Sequence, residues 1–150
     1  MSELPHVGNF RELIAYRKAK LLAQDIFDLT MTFPKEEVYS LTSQIRRSSR
    51  SVGAQIAEAW GKRRYEAHFL SKLTDADGEQ YETQHWLETA FDCHYLSSNQ
   101  LLSLRERCEE VGRLLNGMMA KSTLFCASST PKTIRETTAE YFITQSTDEL

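Results

Sequence analysis

Leu41-Thr42-Ser43-Gln44-Ile45-Arg46-Arg47-Ser48-Ser49-Arg50-Ser51-Val52-Gly53-Ala54-Gln55-Ile56-Ala57-Glu58-Ala59-Trp60-Gly61-Lys62-Arg63-Arg64 combines an apolar stripe and a basic stripe in one segment. Leu41, Ile45, Val52, Ile56 and Trp60 return at helical spacing, which makes one face of a helix suited to a core. Arg46, Arg47 and Arg50 project from other sides, and Lys62, Arg63 and Arg64 follow the end. The segment reads as the only concentration of charge in the chain. Ser40 stands where an N-cap belongs. Gly61 reads as a left-handed C-terminal stop, with the cations after it complementing the negative end of the helix dipole.

The same period extends outward in both directions. Upstream, over residues 10 to 32, Leu13, Ile14, Leu21, Leu22, Ile26 and Leu29 predict a first helix, ended by Phe33-Pro34-Lys35-Glu36-Glu37 because proline disfavours helical geometry in the residue before it. Downstream, residues 65 to 95 predict a third helix with the stripe Phe69, Leu70, Leu73, Ala76, Gln80, Leu87, Ala90 and Phe91, weakened at Gly78 unless a neighbour packs closely there. Ser97-Ser98-Asn99 supplies the next turn and cap. Leu101, Leu104, Cys108, Val111, Leu115 and Met118 then alternate spacings of three and four, the pattern of a helix seated in a bundle.

Periodicity stops after Phe125. Ser128-Ser129-Thr130-Pro131 opens a Ser/Thr-rich C-terminal tail in which Ile134, Tyr141, Phe142 and Ile143 are the apolar residues able to dock. The chain therefore divides into a lead (1–9), a bundle domain (10–125) and a tail (126–150). Short connections reach only neighbouring helices, so the expected fold is all-α, an antiparallel up-down four-helix bundle. No strand pattern or internal repeat is present.

A 150-residue chain with 41% apolar and 26% charged residues forms one globular core without disulfide or metal staples. Its net charge of −3 requires any polyanion binding to come from a local patch. Cys93, Cys108 and Cys126 are odd in number, widely spaced and without a C-x-x-C pair, which suits a reducing cytoplasm. No segment approaches the roughly 20 consecutive apolar residues of a membrane span, and the N-terminus has no secretory pattern. A cytoplasmic protein without membrane contact is expected.

Charge is partitioned between helices. Six cations from Arg46 to Arg64 face the single acid Glu58, whereas Asp75, Asp77, Glu79, Glu82, Glu88 and Asp92 face only Lys72. Two readings follow. In one, the basic face of the second helix pairs with the acidic face of the third, within the bundle or across subunits, and the oligomer is a scaffold for a protein partner. In the other, the arginines track a phosphate backbone, to which their planar forks are suited, and Tyr65 or Trp60 stacks on an unpaired base.

Enzymatic readings lack a constellation. Glu82-Thr83-Gln84-His85 has the Glu-x-x-His spacing of di-iron bundles, but there is no second helical copy, since Glu3-Leu4-Pro5-His6 contains a proline. Cys93 and His94 are adjacent and so point about 100° apart on a helix, while Cys108 lies on an apolar stripe. Phosphate-binding loops, dinucleotide fingerprints, nucleophile elbows and zinc pairs are absent from the sequence. The chain reads as non-enzymatic, with no cofactor and no metal.

Phe10-Arg11-Glu12-Leu13-Ile14-Ala15-Tyr16-Arg17-Lys18-Ala19, the Phe33–Glu37 turn, Leu41-Thr42-Ser43-Gln44-Ile45-Arg46-Arg47 with Ile56-Ala57-Glu58, and Leu114-Leu115-Asn116-Gly117-Met118 together resemble the 23S rRNA intervening-sequence protein family. The resemblance implies a left-handed antiparallel four-helix bundle assembled as a ring-like homopentamer. It also implies kinship with bacterial bundle proteins that contact nucleic acid through a basic surface. Gln44, Arg46, Arg47 and Glu58 match the family motif. Gly53, Gln55 and Ala59 depart from it, standing where proline, asparagine and glycine are usual.

The expected mechanism is assembly followed by display. Trp86, Tyr81, Met118 and Met119 contribute apolar surface to subunit contacts, and the ring repeats a patch of Arg46, Arg47, Arg50, Lys62, Arg63 and Arg64 toward RNA or single-stranded nucleic acid.

Overall fold

The computed structural model describes residues 7–127, and no strand occurs among them. Four long helices carry the fold: α1 (Ile14–Thr30), α2 (Leu41–Gly61), α3 (Glu66–Asp92) and α4 (Ser98–Ala120), followed by the single turn α5 (Ser122–Phe125). α2 lies against α1 and α3, and α4 lies against α3 and α1, so the four close around one core. Ile26, Ile45, Ile56, Phe69, Leu73, Leu87 and Leu115 are sealed from solvent there. Each contributes about 1.5–3 kcal/mol relative to exposure.

The apolar stripes of α2 and α4 lie where the sequence places them, with Trp60 and Met118 half-buried at the margins. α1 differs. Ala15, Ala19, Leu22, Ile26 and Thr30 face inward, while Ile14 and Leu21 are 54% and 62% exposed. The two exposed residues are seven apart and define a stripe beside the core-facing one; the alanines, too small to stand out in a hydrophobic pattern, are what let α1 approach α2. The helix also begins later than residue 10. Asn9 Oδ1 accepts the Arg11 N–H at 2.8 Å and Glu12 Oε1 accepts the Gly8 N–H at 2.8 Å, which winds Phe10–Glu12 into a 3-10 turn first.

Helix ends hold two corrections. Ser40 occupies the N-cap position of α2, but its hydroxyl donates to Glu37 Oε1 at 2.8 Å, and the same carboxylate oxygen accepts the Leu41 N–H at 3.3 Å. A carboxylate is the stronger acceptor for a helix N-terminus. Its other oxygen accepts the Tyr95 hydroxyl at 2.9 Å, tying the α1–α2 connection to the end of α3. These bonds hold Glu37 below the usual carboxylate range and push Tyr95 up to about 12. Gly61 is the last helical residue of α2 and no described glycine has a positive φ. The left-handed stop falls instead on His94 after α3, at φ 66°, where the Tyr95 N–H reaches back to the Ala90 carbonyl at 2.9 Å. Ser97 caps α4 as expected, in a reciprocal box with Gln100.

Buried polar groups sit mainly on α2 and α3. The Ser48 and Thr83 hydroxyls share a 2.9 Å hydrogen bond between the two helices. Gln80, 2% exposed, donates to Asp77 Oδ1 at 2.9 Å and accepts from Gln84 at 2.8 Å. Its amide nitrogen lies 2.8 Å from where a Cβ on Gly112 would stand, so the close approach occurs at Gly112; no atom comes within 4 Å at Gly78.

Beyond α4 the chain turns back. The Phe125 ring stacks on Phe69 with centroids 5.8 Å apart, Ser122 hydrogen-bonds Glu66, and the Ala127 N–H donates to the Arg63 carbonyl at 3.3 Å. The Ser/Thr-rich stretch and the apolar residues Ile134, Tyr141, Phe142 and Ile143 lie outside the described residues.

Candidate functional site

Packing distributes the six cations of the central motif. Arg47 turns to α3, where its guanidinium lies 3.2 Å from Glu79 and 2.5 Å from Glu82. Glu82 also accepts the Trp86 indole N–H at 2.9 Å. Those two donors, the indole first, hold the Glu82 carboxyl below its usual range, and the carboxylates raise Arg47. Arg46 and Arg50 turn to α1: Arg46 Nε donates to Thr30 Oγ1 at 2.7 Å, and both guanidinium groups lie over the Phe27 ring, at 4.5 and 5.3 Å. Arg63 lies 3.5 Å over Trp60 and donates to its carbonyl at 2.8 Å, with burial lowering its pKa. Lys62 and Arg64 are exposed, Arg64 beside the Tyr65 ring at 5.8 Å. The expected single patch of six is therefore three separate groups, because residues one apart on a helix point to different neighbours.

One basic surface joins Arg50 of the motif to cations of α1. A cleft of about 790 Å³ opens between α1 and α2 and draws Arg17 and Lys20 from α1 together with Arg50 from α2. No carboxylate lines it. Tyr16, Leu21, Gly53, Ala54 and Ala57 supply apolar lining, and Tyr16 Cε1 lies 3.6 Å from where a Cβ of Gly53 would stand. Arg46 adjoins through the Phe27 ring it shares with Arg50. Arg17 and Lys20 escaped the sequence reading, which treated the central motif as the sole concentration of charge. A signal was present in Arg17-Lys18-Ala19-Lys20. Lys18 pairs across to Glu110 on α4 at 3.1 Å, whereas Arg17 and Lys20 line the cleft. Small residues at Ala23, Gly53, Ala54 and Ala57 leave the space between the two helices.

Glu58 holds Lys72 of α3 at 2.9 Å, and Lys72 Nζ donates to Gln55 Oε1 at 3.2 Å. The residue at the family's asparagine position thus makes a polar contact of its own. Gln44 is exposed. Trp60 packs on the core with Arg63 across its ring and so offers little for base stacking; Tyr65, 57% exposed, keeps its surface.

Glu82 is engaged by Arg47 and Trp86, and the His85 and Trp86 rings meet edge to face with centroids 4.6 Å apart. Among the described residues no three His, Cys, Asp or Glu side chains gather in a metal-binding group. Burial pushes the Cys108 thiol up to about 12, an unreactive state, and Cys93 is exposed. No described helix is long and apolar enough to cross a membrane.

Four long helices around one core, with a basic cleft on one face, define a helical-bundle protein. The family model described as 23S rRNA-intervening sequence protein matches residues 11–117, and the chain belongs to that family. Among solved structures, the chain is similar to a protein of unknown function from the S23 ribosomal protein family of Bacteroides thetaiotaomicron. The two share 30% identity and superpose with a TM-score of 0.65 over 71% of this chain and 96% of that one. No curated protein matches the chain.

Proposed function

We propose that the protein is a non-enzymatic bundle that assembles into a homo-oligomeric ring and binds RNA or single-stranded nucleic acid along the α1/α2 cleft, repeated once per subunit. The observation that carries this reading is the cleft's lining, three cations and no carboxylate. Arginines held over Phe27 lose less freedom when they meet a phosphate. One cleft is a weak site; copies fixed around a ring act together through effective concentration.

Antiparallel, up-down packing is supported by contacts that run in opposite chain directions. Arg46 meets Thr30 while Gly53 meets Tyr16, and Arg47 meets Glu79 and Glu82 while Glu58 meets Lys72. The left-handed sense and five-membered ring are those of the family resemblance. Subunits associate through apolar side chains left outside on α3 and α4, where Tyr81 is 62% and Leu102 53% exposed, keeping the cleft open.

The test is a titration of single-stranded RNA at several salt concentrations on protein of measured oligomeric mass. Arg50→Ala and Lys20→Ala weaken binding and Arg46→Ala does so less, while Arg47→Ala leaves it unchanged. A flat salt response, or loss in Arg47→Ala equal to that in Arg50→Ala, overturns the assignment. The scaffold reading is favoured by one observation, the capture of Arg47 by Glu79 and Glu82. It gains if binding to RNA is absent at low salt in the intact oligomer.

A further inference from the structure

We propose that the α1/α2 cleft is also the docking site of this chain's own segment Glu136-Thr137-Thr138-Ala139-Glu140-Tyr141-Phe142-Ile143, which competes there with polyanions. The competition rests on the reading of the cleft as a polyanion site; the docking does not.

Complementarity of charge is the first argument. The cleft presents Arg17, Lys20 and Arg50 without an acid, and the segment holds two carboxylates, Glu136 and Glu140, without a lysine or arginine. Opposite fields of this kind steer encounter and fix orientation.

Apolar surface is the second argument. Leu21 is 62% exposed at the cleft beside Tyr16 and Ala54, and Tyr141, Phe142 and Ile143 form the one apolar triplet after Phe125. Their removal from water against Leu21 supplies the non-ionic part of the contact.

Reach is the third. The Ala127 N–H is tied to the Arg63 carbonyl beside the end of α2, and Ala57, which lines the cleft, lies on the last turns of that helix. From Ala127 to Glu136 is nine residues, which extend up to about 30 Å. That equals the length of α2, about 31 Å, so the segment can reach any point along the cleft.

The experiment uses the full chain and two tail variants, Tyr141→Ser with Phe142→Ser, and Glu136→Gln with Glu140→Gln. Backbone amide shifts of Lys20, Leu21, Arg50 and Ala54 are read by NMR, and affinity is measured for a 20-nucleotide oligouridylate probe. Both variants shift the cleft amides, and the aromatic variant binds the probe about tenfold more tightly if the tail occupies nine-tenths of the clefts. Identical cleft spectra in all three chains overturn the proposal. So do cleft shifts that follow protein concentration and ignore the tail substitutions, which place a second copy in the cleft. If the tail variants move the cleft amides and no chain binds oligouridylate, docking stands and the polyanion reading falls.

Discussion

The methyl that alanine adds has opposite effects at two glycines, Gly78 in α3 and Gly112 in α4. At Gly78, mid-helix in α3, a Cβ would meet nothing within 4 Å, so Gly78→Ala raises stability by about 1 kcal/mol through helix propensity. At Gly112 the same Cβ would lie 2.8 Å from the Gln80 amide and 3.2 Å from Asp77 Oδ1. Gln80 is buried and cannot swing away without releasing its bonds to Asp77 and Gln84. Gly112→Ala therefore lowers stability by about 1–2 kcal/mol in spite of the better propensity. Urea midpoints followed by helix ellipticity check both. The sequence flagged Gly78 and passed over Gly112, because a glycine pressed by a neighbouring helix is spelled like one that is not. Cys108, by contrast, was legible as a core residue from its place on the α4 stripe. Its thiol ionises near 12 in the fold against 9.0 unperturbed. Between those values the unfolded chain has released the proton and the folded chain has not, so this group's contribution declines as pH rises from 9.0 toward 12. Tyr95 adds the same trend from 10.0. Stability measured from pH 8 to 11 falls, and Cys108→Ala makes the fall shallower while lowering stability at pH 8.

At the scale of elements, period alone located all four long helices, and the strongest patterns, α2 and α4, also assigned the correct inward faces. α1 misled because its core face is built on Ala15 and Ala19, with little hydrophobic contrast against Ile14 and Leu21 outside. Pairing of charges was less legible still, since one helical step separates Arg46 on the α1 side from Arg47 on the α3 side. The Arg47 clasp makes a distinct prediction. Glu82 has a lowered pKa in the fold, so the stability it contributes is complete above its unperturbed 4.5 and is lost as pH falls through the lower folded value. Arg47 is nearly half exposed, and Arg47→Ala should lower stability by only about 0.5–1 kcal/mol at pH 7. That difference shrinks as pH falls below 4.5 and through the lower folded value, and it shrinks in high salt. Thermal or urea unfolding of the two chains at descending pH from 7 measures it; a gap that does not shrink in acid would show that Arg47 acts through packing rather than through the carboxylates.

For the whole molecule, the net charge of −3 conceals a division between an α1/α2 face whose cleft has only cations and an α3 helix rich in carboxylates. The order of charges along the chain places a basic second helix against an acidic third. The share of α1 was not readable, because which residues share a cleft depends on how helices far apart in sequence are paired. Arg17 and Arg50 are 33 positions apart and come together only after α1 docks on α2. The proposed binding mode is additive in charge and multiplicative in copies. On single-stranded nucleic acid each engaged cation contributes about 0.7 to the slope of log affinity against log salt. Arg50→Ala should lower that slope by about 0.7 for every subunit in contact, and Arg47→Ala should leave it unchanged. Tyr81→Glu, placed on the exposed α3 surface assigned to assembly, should reduce the mass seen by light scattering to that of one chain. Affinity then falls by about 100-fold or more as effective concentration is lost, while the slope per bound subunit stays the same. If Tyr81→Glu keeps the full mass, assembly uses another surface. If it yields a single chain with undiminished affinity, one cleft is sufficient and repetition around a ring has no part in binding.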